Sequence, residues 1–324
     1  MGKRLKLALL VALTVATTGL WSFTSLAADP PQGYPARKIE IVNPFKAGGS
    51  TDLYLRTLMV PMEKALGTKV VILNEEGGEG VRAFKEIESR PADGYTLYAI
   101  GPEEIINSVY ERVDYQALTP LVRVQMDQSM YWVMEDSPFK TFSDMVTYAK
   151  ANPNKVVIGA SYGIDQVVTS LLFSSAGIQL KYVPYSVGKE ATAALLGGHV
   201  DLLHEEPGGI ISQIQAKMVR PLIVLTEHRL SSFPDTPTAV ELGYDITIGR
   251  WRGLAVKKGT PMEIVNYLAA VVKEAMNTPE YQKLAEKTMM NLRPGFLGPQ
   301  DFEAFLNKEF VTYDREMRNL GMVK

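Results

Sequence analysis

No cysteine occurs anywhere in the 324 residues, so disulfides, thiol nucleophiles and thiolate metal sites are excluded together. Stability has to come from packing. A basic surplus is missing as well: the formal net charge is −2, without the positive field that a nucleic-acid binder carries. No stretch beyond the first 28 residues approaches the ~20 apolar residues of a membrane-spanning helix, and no low-complexity segment or short repeat period suggests a solenoid. Two nucleotide signatures are absent. The tripeptide GK[ST] of a Walker loop does not occur, and the first strand-like run is not followed by GxGxxG.

What is present begins with an export signal. Lys3, Arg4 and Lys6 precede the apolar run LALLVALTVA, and TSLAAD follows. Small residues at Ser25 and Ala27 suit a signal peptidase, so cleavage is expected after Ala27 or Ala28. Removal of residues 1–28 takes away three positive charges and leaves a chain of 296 residues at −5. That length accommodates two domains with their own cores.

Hydrophobic periodicity gives alternating strands and helices. KIEIVNPF (38–45) reads as a strand and residues 51–66 as a helix, with Leu55, Leu58, Met59, Met62 and Leu66 at helical spacing. TKVVILN, the helix VRAFKEIES and the strand YTLYAIG complete a βαβαβ series, which favours a parallel sheet. After a middle stretch the pattern restarts with YWVMED, TFSDMVTYAKAN and KVVIGA. It continues through QVVTSLLFSSAG, LKYVPY, GKEATAALLGG, HVDLLHE, a helix over 209–217 and RPLIVLT. A strand around RGLAV and a helix opened by Pro261 begin the last helix-rich part, which is expected to lie against the first sheet. The fold class is therefore α/β, with two lobes of mostly parallel sheet flanked by helices and a ligand cleft between them. The expected division is residues 29–128 and 252–324 for one lobe and 129–251 for the other.

Two strand-to-helix turns stand out. NPFKAGGSTD (43–52) brings two glycines, two hydroxyls and a carboxylate to a helix start, where free amides attract an anion. The competing reading is that Ser50, Thr51 or Asp52 only caps its own helix. In the second unit Ser161, Tyr162, Gly163, Ile164 and Asp165 form a matching turn, and two such turns across a cleft would grip the ends of a small anion. The same turn satisfies G-x-S-x-G, with Asp201, Glu205 or Glu206 and then His228 downstream, so a secreted serine hydrolase using Ser161 is the rival function. HVDLLHEE (199–206) holds possible metal ligands. On a strand, however, His199, Asp201 and Glu205 point away from His204 and Glu206, and the pattern matches no zinc signature. Neither metal nor cofactor is expected. Among the aromatics near strand ends, Trp132, Tyr182 and Trp251 read as packing residues, and Tyr162 and Tyr185 are the better contacts for a ligand.

The ordered segments YPARKIEIVNPFKAGGSTD, VVILNEEGGEGVRAFKEI, PADGYTLY, FSDMVTYAKANPNKVVIGAS, VPYSVGKEATAALLGGHVDLL, FPDTPTAVELGY and WRGLAVKKGTP resemble the Bug-type extracytoplasmic solute receptors of tripartite tricarboxylate transporters. The resemblance implies a two-lobed Venus-flytrap receptor, expected as a periplasmic monomer that is not an enzyme and that delivers a small carboxylate to membrane permease subunits. It also implies that Phe45, Lys46, Ala47, Gly48, Gly49, Ser50, Thr51 and Asp52 hold a carboxylate together with Ser161, Tyr162, Gly163, Ile164 and Asp165. Closure would be a ligand-biased hinge motion.

Departures from the family pattern concern the ligand. Lys46 stands where a small or apolar residue is usual. The second turn lacks the usual glycine, hydroxyl and histidine sequence and offers Tyr162, Asp165 and Gln166. Glu103, Glu104, Glu205 and Glu206 bring acids near the cleft, where uncompensated charge would repel a second carboxylate. The expected ligand is a carboxylate with a polar or cationic tail, its far end read by residues 161–166, Tyr185, Glu205 and Glu206.

Overall fold

The computed structural model describes residues 29–323; the expected export signal lies outside them. Among the described residues, ten strands form two sheets of five. The first has the order β2-β1-β3-β10-β4, from β1 (Ile39–Asn43), β2 (Val70–Asn74), β3 (Thr96–Ile100), β4 (Leu118–Met126) and β10 (Trp251–Lys257). The second runs β7-β6-β8-β5-β9, from β5 (Met130–Met134), β6 (Val157–Ser161), β7 (Lys181–Tyr185), β8 (Leu202–Glu205) and β9 (Val219–Val224).

Both sheets are mixed and, as expected, mostly parallel: four of the five strands in each run the same way. In each, the one exception is a strand arriving from the other lobe, inserted antiparallel between two of the four: β10 between β3 and β4, β5 between β8 and β9. The register gives the reason. Gly253 pairs with Ile100 at the end of β3, and Met130 pairs with Glu205 at the end of β8. A chain crossing from lobe to lobe therefore enters at the carboxyl ends of the parallel strands and has to run back against them. Those carboxyl ends face one another across the cleft, where ligands bind in open α/β sheets.

Two elements were not read from the sequence. Strand β4 contains Pro120, which argues against a central strand, but β4 is an edge strand of its sheet and an edge tolerates the missing donor. Helix α3 (Pro102–Val109) follows Gly101 with Pro at its first position, and the Glu104 carboxylate accepts the Gly101 amide at 2.8 Å. Glu104 is thus a buried cap under the cleft, with its other oxygen taken by the Tyr98 hydroxyl at 2.7 Å. The helix expected over 209–217 is a 3-10 turn, Pro207–Ile210, followed by one short helix, Ile211–Gln215.

The two crossings meet. The Asp127 amide donates to the Arg250 carbonyl at 2.7 Å and the Leu225 amide to the Ser129 carbonyl at 2.9 Å. They approach so closely that a Cβ on Gly249 would stand 2.6 Å from the Asp127 carbonyl oxygen. A long C-terminal helix, Pro299–Asn319, packs on β4 and α3 and also touches the helix Ile164–Ser175 of the second lobe. Its Phe302, Leu306, Tyr313 and Met317 join a buried cluster that holds Phe84 and Tyr98 of the first lobe and Phe142 and Ile158 of the second.

Candidate functional site

Helix α1 (Ser50–Leu66) starts right after the opening turn, with Gly49 rather than Ser50, Thr51 or Asp52 at the cap position. The Leu53 amide is the first to donate to the Gly49 carbonyl. The Ser50, Thr51 and Asp52 amides ahead of it have no acceptor inside the helix. Asp52 is buried and shapes the turn: it accepts from the Gly48 amide at 2.8 Å, Arg56 Nε at 2.7 Å and Asn74 Nδ2 at 3.3 Å. The Arg56 hydrogen bond leads in holding its carboxyl below the usual range, against burial. Asp52 therefore supports the turn from beneath. Lys46, Ala47 and Gly48 are exposed on its outer rim, and Phe45 is half-buried with its carbonyl held by Asn74 at 3.0 Å.

The second turn repeats the device. The Asp165 carboxylate reaches back four residues to the Ser161 amide at 3.3 Å, as Asp52 does to Gly48. Gly163 takes φ +78°, a conformation that L side chains rarely adopt, and the helix begins at Ile164. Tyr162 projects into solvent, whereas the Ile164 side chain is buried in the core. Gln166 lines a different cavity, where the second lobe meets the C-terminal segment, with Tyr182, Leu320 and Met322. Tyr185 packs over Gly159 and Val200. These two side chains, expected at the ligand, are therefore not among those lining the space between the lobes.

That space is a cavity of about 210 Å³ lined by Ser50, Gln125, Asp127, Glu205, Glu206 and Arg252, with Met289 and Met290 among its apolar residues. Arg250 and Arg252 flank Trp251 at the start of β10. Strand alternation turns Trp251 into the core, where it is fully buried, and leaves both arginines for the cleft. Arg252 meets Asp127 at 2.6 Å and Ser50 Oγ at 3.1 Å. Arg250 meets three carboxylates, Glu103 of the first lobe at 3.0 Å and Asp165 and Glu206 of the second at 3.1 and 3.4 Å.

The acids do not behave alike. Burial, the largest single effect, would raise the Glu206 carboxyl, but the Arg250 guanidinium, the hydrogen bond with Glu205, and His204 and Arg252 together outweigh it and hold the pKa down to about 2. Burial and the adjacent Glu206 carboxylate push Glu205 well above the usual range, so the pair carries one charge. The Glu205 carboxyl is wedged between Gly188 and Gly209, where an added Cβ on either glycine would overlap it. Burial pushes Asp165 and Asp127 up, opposed by Arg250 and Arg252 respectively. The expectation of uncompensated acids is thus corrected in part: Arg250 answers them, one guanidinium among three carboxylates.

The residues of a hydrolase are not assembled. Asp201 accepts the Val157 amide at 2.8 Å, at the opposite end of β6 from Ser161. His228 is exposed beyond β9, and His204 is stacked on Tyr131 and hydrogen-bonded to Thr169 at 3.3 Å. Among the described residues, no group of three or more His, Cys, Asp and Glu is placed to hold a metal ion. No helix of the described residues is long and apolar enough to cross a membrane.

Arg250, Arg252, Gln125 and Asp127 were missed in the sequence. The Arg-Trp-Arg alternation at a lobe crossover was the available signal for the arginines.

Two mixed α/β lobes joined by two crossings, with a cavity between the carboxyl ends of their strands, define a two-lobed solute-binding protein. Residues 54–321 match the tripartite tricarboxylate transporter family receptor model, TctC. A UPF0065 protein encoded in the gbd 5' region of Cupriavidus necator is 30% identical over 322 residues, covering 96% of this chain and 98% of that protein. The chain belongs to the receptor family of tripartite tricarboxylate transporters. Among solved structures, a TctC solute-binding protein from Polaromonas superposes with a TM-score of 0.78 at 24% identity, covering 88% of this chain and 99% of that one. Rpa4515 of R. palustris, solved with adipate, gives 0.75 at 25% identity, covering 89% and 98%.

Proposed function

We propose that this chain is an extracytoplasmic receptor, monomeric in the periplasm after loss of residues 1–28, that closes residues 29–128 with 252–324 against 129–251. It captures a small carboxylate and presents it to the permease subunits of its transporter. The observation that carries this reading is the first turn of α1, with its Ser50, Thr51 and Asp52 amides and the Ser50 hydroxyl beside Arg252, opening on the interlobe cavity. A carboxylate there accepts charge-assisted hydrogen bonds of about 1.5–3 kcal/mol each and the smaller attraction of the helix terminus. Residues 45–51 form this grip from one lobe, and the backbone of 161–165 closes on it from the other. Family membership and the adipate in Rpa4515 support the ligand class.

The test is thermal unfolding of the mature protein against mono-, di- and tricarboxylates, amino acids and neutral sugars. A ligand at ~100 times its dissociation constant adds about 2.7 kcal/mol of stability. A carboxylate is expected to raise the melting temperature; a neutral sugar doing so while no carboxylate does would overturn the reading.

A further inference from the structure

The helix Pro279–Lys287 ends by turning its chain towards the second lobe. Met289 takes φ +55°, a left-handed conformation that a side chain adopts at a cost, and the Met290 amide closes the helix on the Ala285 carbonyl at 2.8 Å. Met290 packs against the apolar cluster of the first lobe, and Leu292, two residues on, against that of the second. Arg293 then meets Glu227, which follows β9, at 3.0 Å. By Gly295 the chain is back on β4: the Gly295 carbonyl accepts Arg123 Nε at 2.8 Å, and Leu297 pairs with Arg123 through both backbone groups.

Residues 288–293 thus form a strap held on the first lobe at both ends and fastened to the second in the middle. It stands at the interlobe cavity, which Thr288, Met289 and Met290 line beside Gly208 of the second lobe. Contact there is backbone to backbone. A Cβ on Gly208 would lie 2.2 Å from the Thr288 carbonyl oxygen, so the lobes reach this spacing only because residue 208 has no side chain. The strap joins the two apolar clusters that the lobes do not share, and its ion pair is partly in solvent, with Glu227 55% and Arg293 14% exposed. Such a pair contributes little, which suits a fastening that has to open.

We propose that residues 288–293 are a latch, closed by Arg293 on Glu227 and by Leu292 on the second lobe, that keeps part of the protein shut in the absence of solute. Opening the lobes parts Gly208 from Thr288 and moves the cavity wall made by Met289 and Met290. Where the shut form is the one that holds solute, the apparent dissociation constant is the intrinsic one divided by the shut fraction. The latch then sets both the affinity and the ease of handing the solute on. That consequence rests on the receptor role proposed above; the latch itself does not.

A chain without cysteine accepts two spin labels at chosen positions. Val60→Cys on α1 and Ala193→Cys on the helix Gly188–Leu196 place them at exposed positions of the two lobes. Pulsed double electron resonance then reads their separation in the mature protein, refolded from urea to free it of solute. With the strap intact a short-distance population is expected, and its absence overturns the latch. Glu227→Gln is expected to cut that population relative to the open one by about two- to fivefold, the worth of a partly exposed pair. Gly208→Ala leaves the pair in place, and its φ lies outside the left-handed region, so the added methyl acts at the Thr288 carbonyl. It is expected to cut the short-distance population about fivefold or more. An unchanged distribution in either variant overturns the proposal. Circular dichroism reports folding, and Glu227→Gln, at an exposed position, decides alone if Gly208→Ala does not fold. With no solute present, failure of the latch leaves the carboxylate reading standing, and failure of the carboxylate screen leaves the latch.

Discussion

The Arg250 guanidinium lies 3.1 Å from the carboxylate of Asp165, 85 residues away in the chain. This ion pair, with those to Glu103 and Glu206, ties the two halves of the cleft through one side chain. Because the partners are largely buried, removing the cation strands carboxylates in a poorly solvated place, the situation in which breaking an ion pair is most destabilising.

Arg250→Met is accordingly expected to lower the unfolding free energy by about 3–5 kcal/mol, read from urea denaturation at pH 7. Lowering the pH is expected to recover part of the loss. Without the guanidinium, Glu206 is protonated far above the pKa of about 2 that it has in the native protein.

Stability is expected to fall as pH rises from about 5 to 9. Burial raises Glu104 to about 8 and Glu309, buried beside Trp251 and Tyr313, to about 7. A carboxyl raised in the folded state binds more protons there than in the unfolded chain. Its contribution is complete below the unfolded value of 4.5 and disappears as pH passes the folded one, at up to ~1.4 kcal/mol per pH unit for each group. Glu206 acts in the opposite sense, its contribution being lost as pH falls from about 4.5 towards 2. Melting temperatures across this range check both limbs, and Glu104→Gln is expected to flatten the alkaline one.

Gly249→Ala is expected to cost about 1–3 kcal/mol, the range for overpacking. Its Cβ meets a backbone carbonyl oxygen, Asp127 O, at 2.6 Å rather than the end of a flexible side chain. Hydrogen exchange at the Asp127 amide, which donates to Arg250 across the crossing, should accelerate more than exchange in the strands.

Asp52→Ala is expected to weaken carboxylate binding by at least about tenfold, since it removes the acceptor that holds the Gly48 amide and frees a turn whose geometry presents the α1 terminus. Asp52→Asn keeps an acceptor for that amide and should retain part of the affinity. Titration with whichever carboxylate raises the wild-type melting temperature compares the two.

The turns at 43–52 and 161–165 were legible because their signal is local: glycine and hydroxyl residues between a strand run and a helix run. Helix 81–89 was legible from its own local pattern. The charge balance was not. Glu103, Glu205 and Glu206 read as uncompensated because their cation, Arg250, is 147 residues from Glu103, and nothing in neighbouring sequence announces such a pairing. Gln125 and Asp127 were missed because Pro120 concealed β4; only its place at the sheet edge makes that proline compatible with a strand. Gln166 lies in the first turn of the helix Ile164–Ser175 and Tyr185 at the end of β7, rather than in loops, and their side chains follow packing directions that sequence position does not set.

The apolar cluster that runs from Phe84 and Tyr98 through Phe302 and Tyr313 to Phe142 and Ile158 also bears on how the molecule comes apart. Two lobes that share this cluster, although each also has a buried cluster of its own, are expected to melt together, because opening either exposes the shared packing surface. Differential scanning calorimetry of the mature chain should therefore show a single endotherm, with calorimetric and van't Hoff enthalpies in agreement. Shortening the C-terminal helix should shift that endotherm whole, without splitting it.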